Sequence, residues 1–437
     1  MKKRILALLT CVASSHAYAT VSVGDFQING FLSAAVAWST VDFLNTGVEP
    51  VYVSYIRQRP SWEKDTNVGL QFTKFLREDV SVTTQFLAEG INNFDVEASW
   101  AFIKWEPNDK WQFRAGRVRT QTYMLSDYVN VAYAYPWIRP PQEVYSQIPA
   151  SFSNVTGADV KYKMELWGQD LVISGFYGAT NSTLEFPIPS VVSPPGFTLL
   201  DNVGVRLRDL YVVNIRFGDE TFSIRAGYEG TRVTLSPNAG TVMEGLNVAM
   251  NSLVGFGVLG PDYINYFSAY NAGASFKGIG YQFDWNNIVS MGEIVKRQVA
   301  TPIVADVVGW YLMGGYRYNE LMPHITFARE RLGDNYTRRF NSTANMLATL
   351  PVAFGGLGLN QNFNQIAQAL IGTSPFFDGG AGEQTSLTIG VRWDVYEGIA
   401  LKGEYCHVHP DRYSPGLFDV HPHKSVNIYS LAVNAVM

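Results

Sequence analysis

The sequence predicts an all-β chain, a transmembrane antiparallel β-barrel of about sixteen strands with one long loop folded into its lumen. Three observations predict it. Hydrophobicity alternates with period two over segments near ten residues, the signature of a strand that meets lipid on one face and water on the other. Short turns alternate with long connections. The composition is 47% hydrophobic and 14% aromatic with only 16% charged residues. Yet no run of about 18 apolar residues follows the leader, as a membrane helix needs.

Residues 1–19 read as a secretory leader. Lys2, Lys3 and Arg4 form its charged start, residues 5–13 a short apolar run, and Ala17-Tyr18-Ala19 a small-residue cleavage site. The mature barrel then occupies residues 20–437. The formal charge of the whole chain is −5, and losing the three leader cations lowers it to −8. An acidic chain argues against a nucleic-acid partner. Cys11 leaves with the leader, so Cys406 stands alone and no disulfide framework exists.

The alternation is readable strand by strand. The first strand is placed at Phe26–Ser39. Val68, Leu70 and Phe72 share a face against Gly69, Gln71 and Thr73. Val80, Val82, Phe86 and Ala88 oppose Ser81, Thr83, Gln85 and Glu89. Val160, Tyr162 and Met164 oppose Asp159, Lys161 and Lys163, and Phe222, Ile224 and Tyr228 oppose Ser223, Arg225 and Glu229. Leu387, Ile389, Val391 and Trp393 repeat the pattern late in the chain. A soluble sandwich also alternates, but aromatics near the strand ends suit membrane interfaces. Short turns are placed at 75–79, 106–110, 168–170, 218–221, 277–280, 319–323 and 395–398. Long connections fall near 40–66, 120–154, 181–202, 233–266, 297–306, 332–383 and 409–424, with 89–93 short where a long one is due. The apolar stretches 242–260 and 345–370 suggest short helices at the barrel mouth.

The connection 120–154 organises the rest. Tyr123, Tyr128, Tyr133, Tyr135, Trp137 and Tyr145 make it aromatic, and Pro136, Pro140, Pro141 and Pro149 prevent a regular strand. A loop this long in a compact domain is functional or disordered, and aromatic density opposes disorder.

At this point the chain resembles the sixteen-stranded, usually trimeric outer-membrane porins of Gram-negative bacteria. Residues 120–154 fall between the fifth and sixth strands, where that family has its constriction loop. The segment RWDVYEGIALKGEY at 392–405 resembles a family turn, and Tyr429, Leu431, Val433, Ala435 and Met437 alternate to the chain end like its assembly signal, with Met where the family usually has Phe. The loop lacks the acidic Pro-Glu-Phe-Gly-Gly type of motif, and YAYPWIRPPQEVY resembles a separate porin-like subgroup. The resemblance implies passive diffusion of small hydrophilic solutes or ions, an outer-membrane location, a homotrimer, no cofactor and no enzymatic activity. The other classes to be weighed are a surface protein acting through its loops as an adhesive or structural element, and a barrel hydrolase.

A barrel of this size encloses water, and charges on loop and wall then set an electrostatic filter. On the loop these are Asp127, Arg139 and Glu143. On the wall, Arg114, Arg206, Arg208 and Arg225 are expected inward on strands flanking the loop, with Lys161, Lys163, Arg317, Arg392 and Lys402. The acids are placed mostly in turns, so a modest anion preference is expected. Tyr135 and Trp137 are either a stacking track for sugars or anchors to the wall. No resident metal is expected, and His407, His409, His421 and His423 are the one rim cluster with ligand-like spacing. Small residues around Ala35 and Ala37, with Val433 and Ala435, are expected on the lipid face as a trimer contact.

Overall fold

A computed structural model describes residues 20–437 apart from 185–202, 334–381, most of 237–269 and single positions or short gaps elsewhere. The leader and the expected mouth helix at 345–370 lie outside the described residues, as does most of 242–260.

The strands run in chain order as β1 (Val21–Val23), β2 (Phe26–Ser39), β3 (Asn67–Arg77), β4 (Val80–Glu89), β5 (Val96–Trp105) and β6 (Trp111–Arg119). They continue as β7 (Asn154–Leu166), β8 (Gln169–Leu184), β9 (Val203–Gly218), β10 (Phe222–Ser236), β11 (Ala272–Trp285) and β12 (Ile288–Val299). The last are β13 (Val307–Tyr316), β14 (Leu321–Leu332), β15 (Gln384–Tyr396), β16 (Ile399–Pro410) and β17 (Val426–Val436). From β2 to β17 each strand pairs antiparallel with the next. The ring closes where β17 pairs with β2 from Ile428↔Ser39 to Val436↔Phe31. Gly30 and Met437 extend this seam by exchanging two backbone hydrogen bonds of 2.9 Å. The result is a closed sixteen-stranded barrel, with β1 folded back on the start of β2. Closure leaves no unpaired strand edge among β2–β17.

Turn chemistry fixes the registers at the short-turn end. Trp167-Gly168 (φ 55° and 77°) and Asn286-Asn287 (φ 49° and 71°) both hold positive φ at two successive residues, the two-residue hairpin geometry matched to strand twist. The expected turn at 277–280 is wrong: those residues lie inside β11, and the Asn286-Asn287 pair turns the chain instead. Gly278 and Gly280 had suggested a turn, but they are strand residues on the inner wall.

The two faces differ as expected. Outward residues such as Val68, Leu70, Phe72, Val82, Ile103, Ile215, Ile224, Ile294 and Leu312 are exposed over 37–52% of their surface. An apolar band this continuous suits lipid rather than water. Many inward residues are polar and mutually bonded, as in Thr73–Thr83 (3.1 Å), Gln85–Gln71 (3.3 Å) and Asn434–Ser33 (2.9 Å).

One expectation of facing fails on a β-bulge. Between Arg208 and Tyr211, β9 carries one residue more than its neighbours β8 and β10, with Asp209 at φ 51°. One extra residue sends every later side chain to the other face. Asn214 and Arg216 point inward, but Arg206 and Arg208 point outward, while Val205 and Leu207 are buried. Ala35 and Ala37 fail in the opposite sense. They are 2% exposed on the inward face, so they are not a lipid-level contact.

Candidate functional site: the 120–154 segment and the inner wall

Residues 120–154 contain a 3₁₀ turn (Ala132–Ala134) and a short helix α1 (Gln142–Tyr145). Pro140-Pro141 precedes the helix, where a missing N–H costs nothing. Leu125 and Val144 are 0% exposed and Trp137 1%. They join Tyr123, Tyr128 and Tyr135 in one apolar cluster with Phe276, Met291, Tyr311, Met313 and Ala328 of β11–β14. All five wall residues occupy inward positions, alternating with the exposed outward ones. Trp137 packs edge-on against Tyr311 (5.6 Å), and its indole N–H donates to Thr326 Oγ1 (2.8 Å).

Polar contacts extend this docking round the wall. The Lys402 ammonium donates to the carbonyls of Ala132 (2.6 Å), Tyr135 (2.7 Å) and Trp137 (2.8 Å). Arg392 donates to Tyr133 O (2.6 Å) and lies over the Tyr133 ring. Glu404 accepts from Ile138 N–H (2.7 Å), and Glu293 accepts from Met124 N–H (3.0 Å) and Tyr145 OH (2.8 Å). Glu229 accepts from Thr122 Oγ1 (2.7 Å). Arg225 donates to Gln121 O and to Asn214 Oδ1.

Two wall glycines permit the close approach. A Cβ at Gly309 would lie 2.0 Å from Glu143 O, and one at Gly280 would lie 2.0 Å from Met124 Sδ. At the seam, Ala35 and Ala432 make room for the loop residue Ile138. Arg139 forms a buried ion pair with Asp65 of the 40–66 connection.

These contacts sort the expected residues. Glu143, Tyr135 and Trp137 face the wall, and Arg139 faces the 40–66 connection, rather than free space. Trp137 has no face left for a sugar. Glu143 is 1% exposed, accepts from Gln384 Nε2 (2.7 Å), and burial raises its carboxyl above the usual range. Arg225 is occupied by loop carbonyls. Most of the described acids lie in turns and connections as expected, but Asp159, Glu229, Glu293 and Glu330 are buried inward wall residues. Sequence reasoning missed Asp65, Glu293, Glu404 and both docking glycines. For Glu293, Glu404 and the glycines the visible signal was a carboxylate or glycine at an inward strand position; Asp65, in a connection, had none.

Among the described residues, β3, β4 and β5 make no hydrogen bond to residues 121–148, and β6 and β7 meet the segment at a charged cleft. Here Arg114, Arg119, Lys161 and Asp159 line a cleft with Gln121, Ser174 and Asn214. Arg114 pairs with Asp159 (2.7 Å). Asp127 of the loop accepts from Gln121 and lies 3.9 Å from Lys161. Desolvation works against the Asp127 carboxylate, but Lys161, Arg114 and Arg225 hold it below the usual range.

The rim histidines do not converge. His407 and His409 face outward on β16 and bond Asn427 and Ser425 at 2.7 Å, while His421 stacks on His423. No group of three metal-ligating side chains occurs among the described residues.

The architecture has solved counterparts. OmpF of Salmonella typhi, solved in complex with daunomycin, superposes with a TM-score of 0.52 at 9% identity, over 94% of this chain and 97% of that one. An anion-selective porin from Comamonas acidovorans superposes with a TM-score of 0.52 at 7% identity, over 94% and 99%. The chain has the porin barrel fold. At these identities the likeness is one of fold alone. No family model and no curated protein matches the sequence.

Proposed function

We propose that the chain forms a water-filled channel for passive diffusion of small hydrophilic solutes or ions across the outer membrane of a Gram-negative bacterium. The observation that carries this reading is the one-sided docking of residues 120–154. The segment contacts inward residues from β7 and β8 round through β16 to the β17–β2 seam, and among the described residues no hydrogen bond joins residues 121–148 to β3, β4 or β5 opposite. Such an arrangement narrows a lumen without filling it. A modest anion preference then rests on Arg114, Arg119 and Lys161, which outnumber Asp159 and Asp127 around the cleft. It does not rest on Arg206, Arg208 or Arg225.

Assembly as a homotrimer belongs to the same reading. The contact is placed on the outward face around the seam, where Leu32, Ala34, Val36, Leu431 and Val433 stand. Planar-bilayer recording tests the channel. Deleting residues 133–144 is expected to raise single-channel conductance. Unchanged conductance from a folded barrel would put the segment outside the lumen. Arg114→Ser with Lys161→Ser is expected to move the reversal potential toward cations.

A further inference from the structure

The outward face of β9–β14 changes character along its length. In mid-strand it is apolar, with Val213, Ile215, Ile224, Ile279, Ile294 and Ile325 exposed. At the short-turn end it stays uncharged, with Phe222, Trp285, Ile288, Tyr316 and Leu321 exposed. Toward the long-connection end it becomes basic. Arg206 and Arg208 on β9, Arg232 on β10, Lys277 on β11, Lys296 on β12, and Arg329 and Arg331 on β14 are all outward and exposed. The bulge at Asp209 puts the first two there, since without it they would face the lumen.

The register then sets like charges beside one another. Arg208 lies directly opposite Arg232, and Lys277 directly opposite Lys296. Such pairs destabilise a sheet unless something compensates them. The chain supplies little compensation. Among the described residues none of the seven has a salt-bridge partner. The neighbouring outward acid, Asp209, accepts from Tyr177 OH (2.9 Å). Arg206 reaches only Asn181 (3.2 Å), and Lys277 lies over the Tyr228 ring (5.6 Å). The belt is also one-sided. On β15, β16, β17, β2 and β3 the outward residues at the same end are Thr385, His409, Asn427, Trp38 and Val68, with no Lys or Arg among them.

We propose that this basic belt binds phosphate groups of lipid headgroups in the leaflet on the long-connection side. The inference rests on the membrane-channel reading above. The belt begins where the apolar band ends, which is the depth of a headgroup. Adjacent cross-strand cations can share one phosphate, and guanidinium forks match its oxygens. Each basic side chain at an anionic membrane surface adds to retention. A neutral lipid would leave the like-charge pairs uncompensated.

The test is native mass spectrometry of the purified full-length barrel in neutral detergent. Three lipids are titrated: a bisphosphorylated glycolipid (lipid A), its dephosphorylated form, and phosphatidylcholine. The phosphorylated lipid is expected to bind at least about tenfold more tightly than the other two, and less so as salt is raised. Arg208→Gln, Arg232→Gln, Lys277→Gln and Lys296→Gln together are expected to abolish the difference. Equal retention of all three lipids by the unmodified barrel overturns the proposal without any variant having to fold. Undiminished retention by the folded quadruple variant also overturns it. Bilayer conductance of the same preparation separates the two readings. A conducting barrel indifferent to phosphate defeats the belt alone, whereas a barrel that never conducts defeats the channel.

Discussion

Replacing Lys402 by Met keeps the side-chain length and removes the ammonium. The carbonyls of Ala132 and Trp137 then lose the Lys402 donor, and that of Tyr135 keeps only Arg392 at 3.4 Å. A hydrogen bond to a charged group contributes about 1.5–3 kcal/mol, so three amount to about 4–9 kcal/mol. Against this, Lys402 is 4% exposed, and burying its charge costs several kcal/mol that Met avoids. The difference is a loss of about 3 kcal/mol, or about a hundredfold in the population with residues 132–137 released. Arg392 still holds Tyr133 O, so the release stays local. Hydrogen exchange of the amides at 132–138 is the assay, with open-channel current noise as a second readout. Exchange within about threefold of the unmodified protein, together with unchanged noise, would show that Lys402 does not secure the segment.

The remaining predictions concern fit, facing and pH. Gly309→Ala places a methyl where Glu143 O stands, with no flexible side chain to give way. It is expected to displace α1, raise conductance and lower thermal stability, whereas the same change at Gly314, which has open space around it, is expected to be silent. Arg206→Ser with Arg208→Ser is expected to leave the reversal potential unchanged, and a shift toward cations would return those residues to the lumen. In the 411–425 connection, burial pushes the Asp419 carboxyl up to about 6 although Val51 N–H donates to it. A carboxyl raised in the folded state stabilises below its ordinary value near 3.8 and loses that contribution as pH rises through about 6. Protection of the amides at 51–53 is therefore expected to fall between about pH 4 and about pH 7, and Asp419→Asn is expected to flatten the profile.

The barrel was legible because each strand repeats one simple instruction, apolar outward and polar inward. Val68-Gly69-Leu70-Gln71-Phe72 says so without reference to any other strand. The segment's departure from strand structure was legible too, since its prolines and aromatics contradict the strand pattern. The facing of Arg206 and Arg208 was not, because a bulge at Asp209 leaves no mark in the alternation and is fixed by the registers of β8 and β10. Docking partners were hidden for a related reason. Glu293, Glu404, Gly280 and Gly309 each look like an ordinary inward residue until the 120–154 segment is laid against them. Ala35 and Ala37 suggested a contact between copies because small residues permit close approach. They permit it on the inner wall, toward Ile138 and the 40–66 connection.

The one-sided docking of the 120–154 segment also shapes how such a channel changes over generations. Along β10–β16 many inward positions are committed to a partner in the segment, so a substitution there disturbs the scaffold. Along β3–β5 the inward side chains bond to one another, as in Thr73–Thr83 and Ser99–Gln85, and not to the segment, so a substitution there leaves the docking intact. Solute preference can therefore drift through one half of the wall while the other half is held by purifying selection, and the sequence record of the two halves should diverge accordingly.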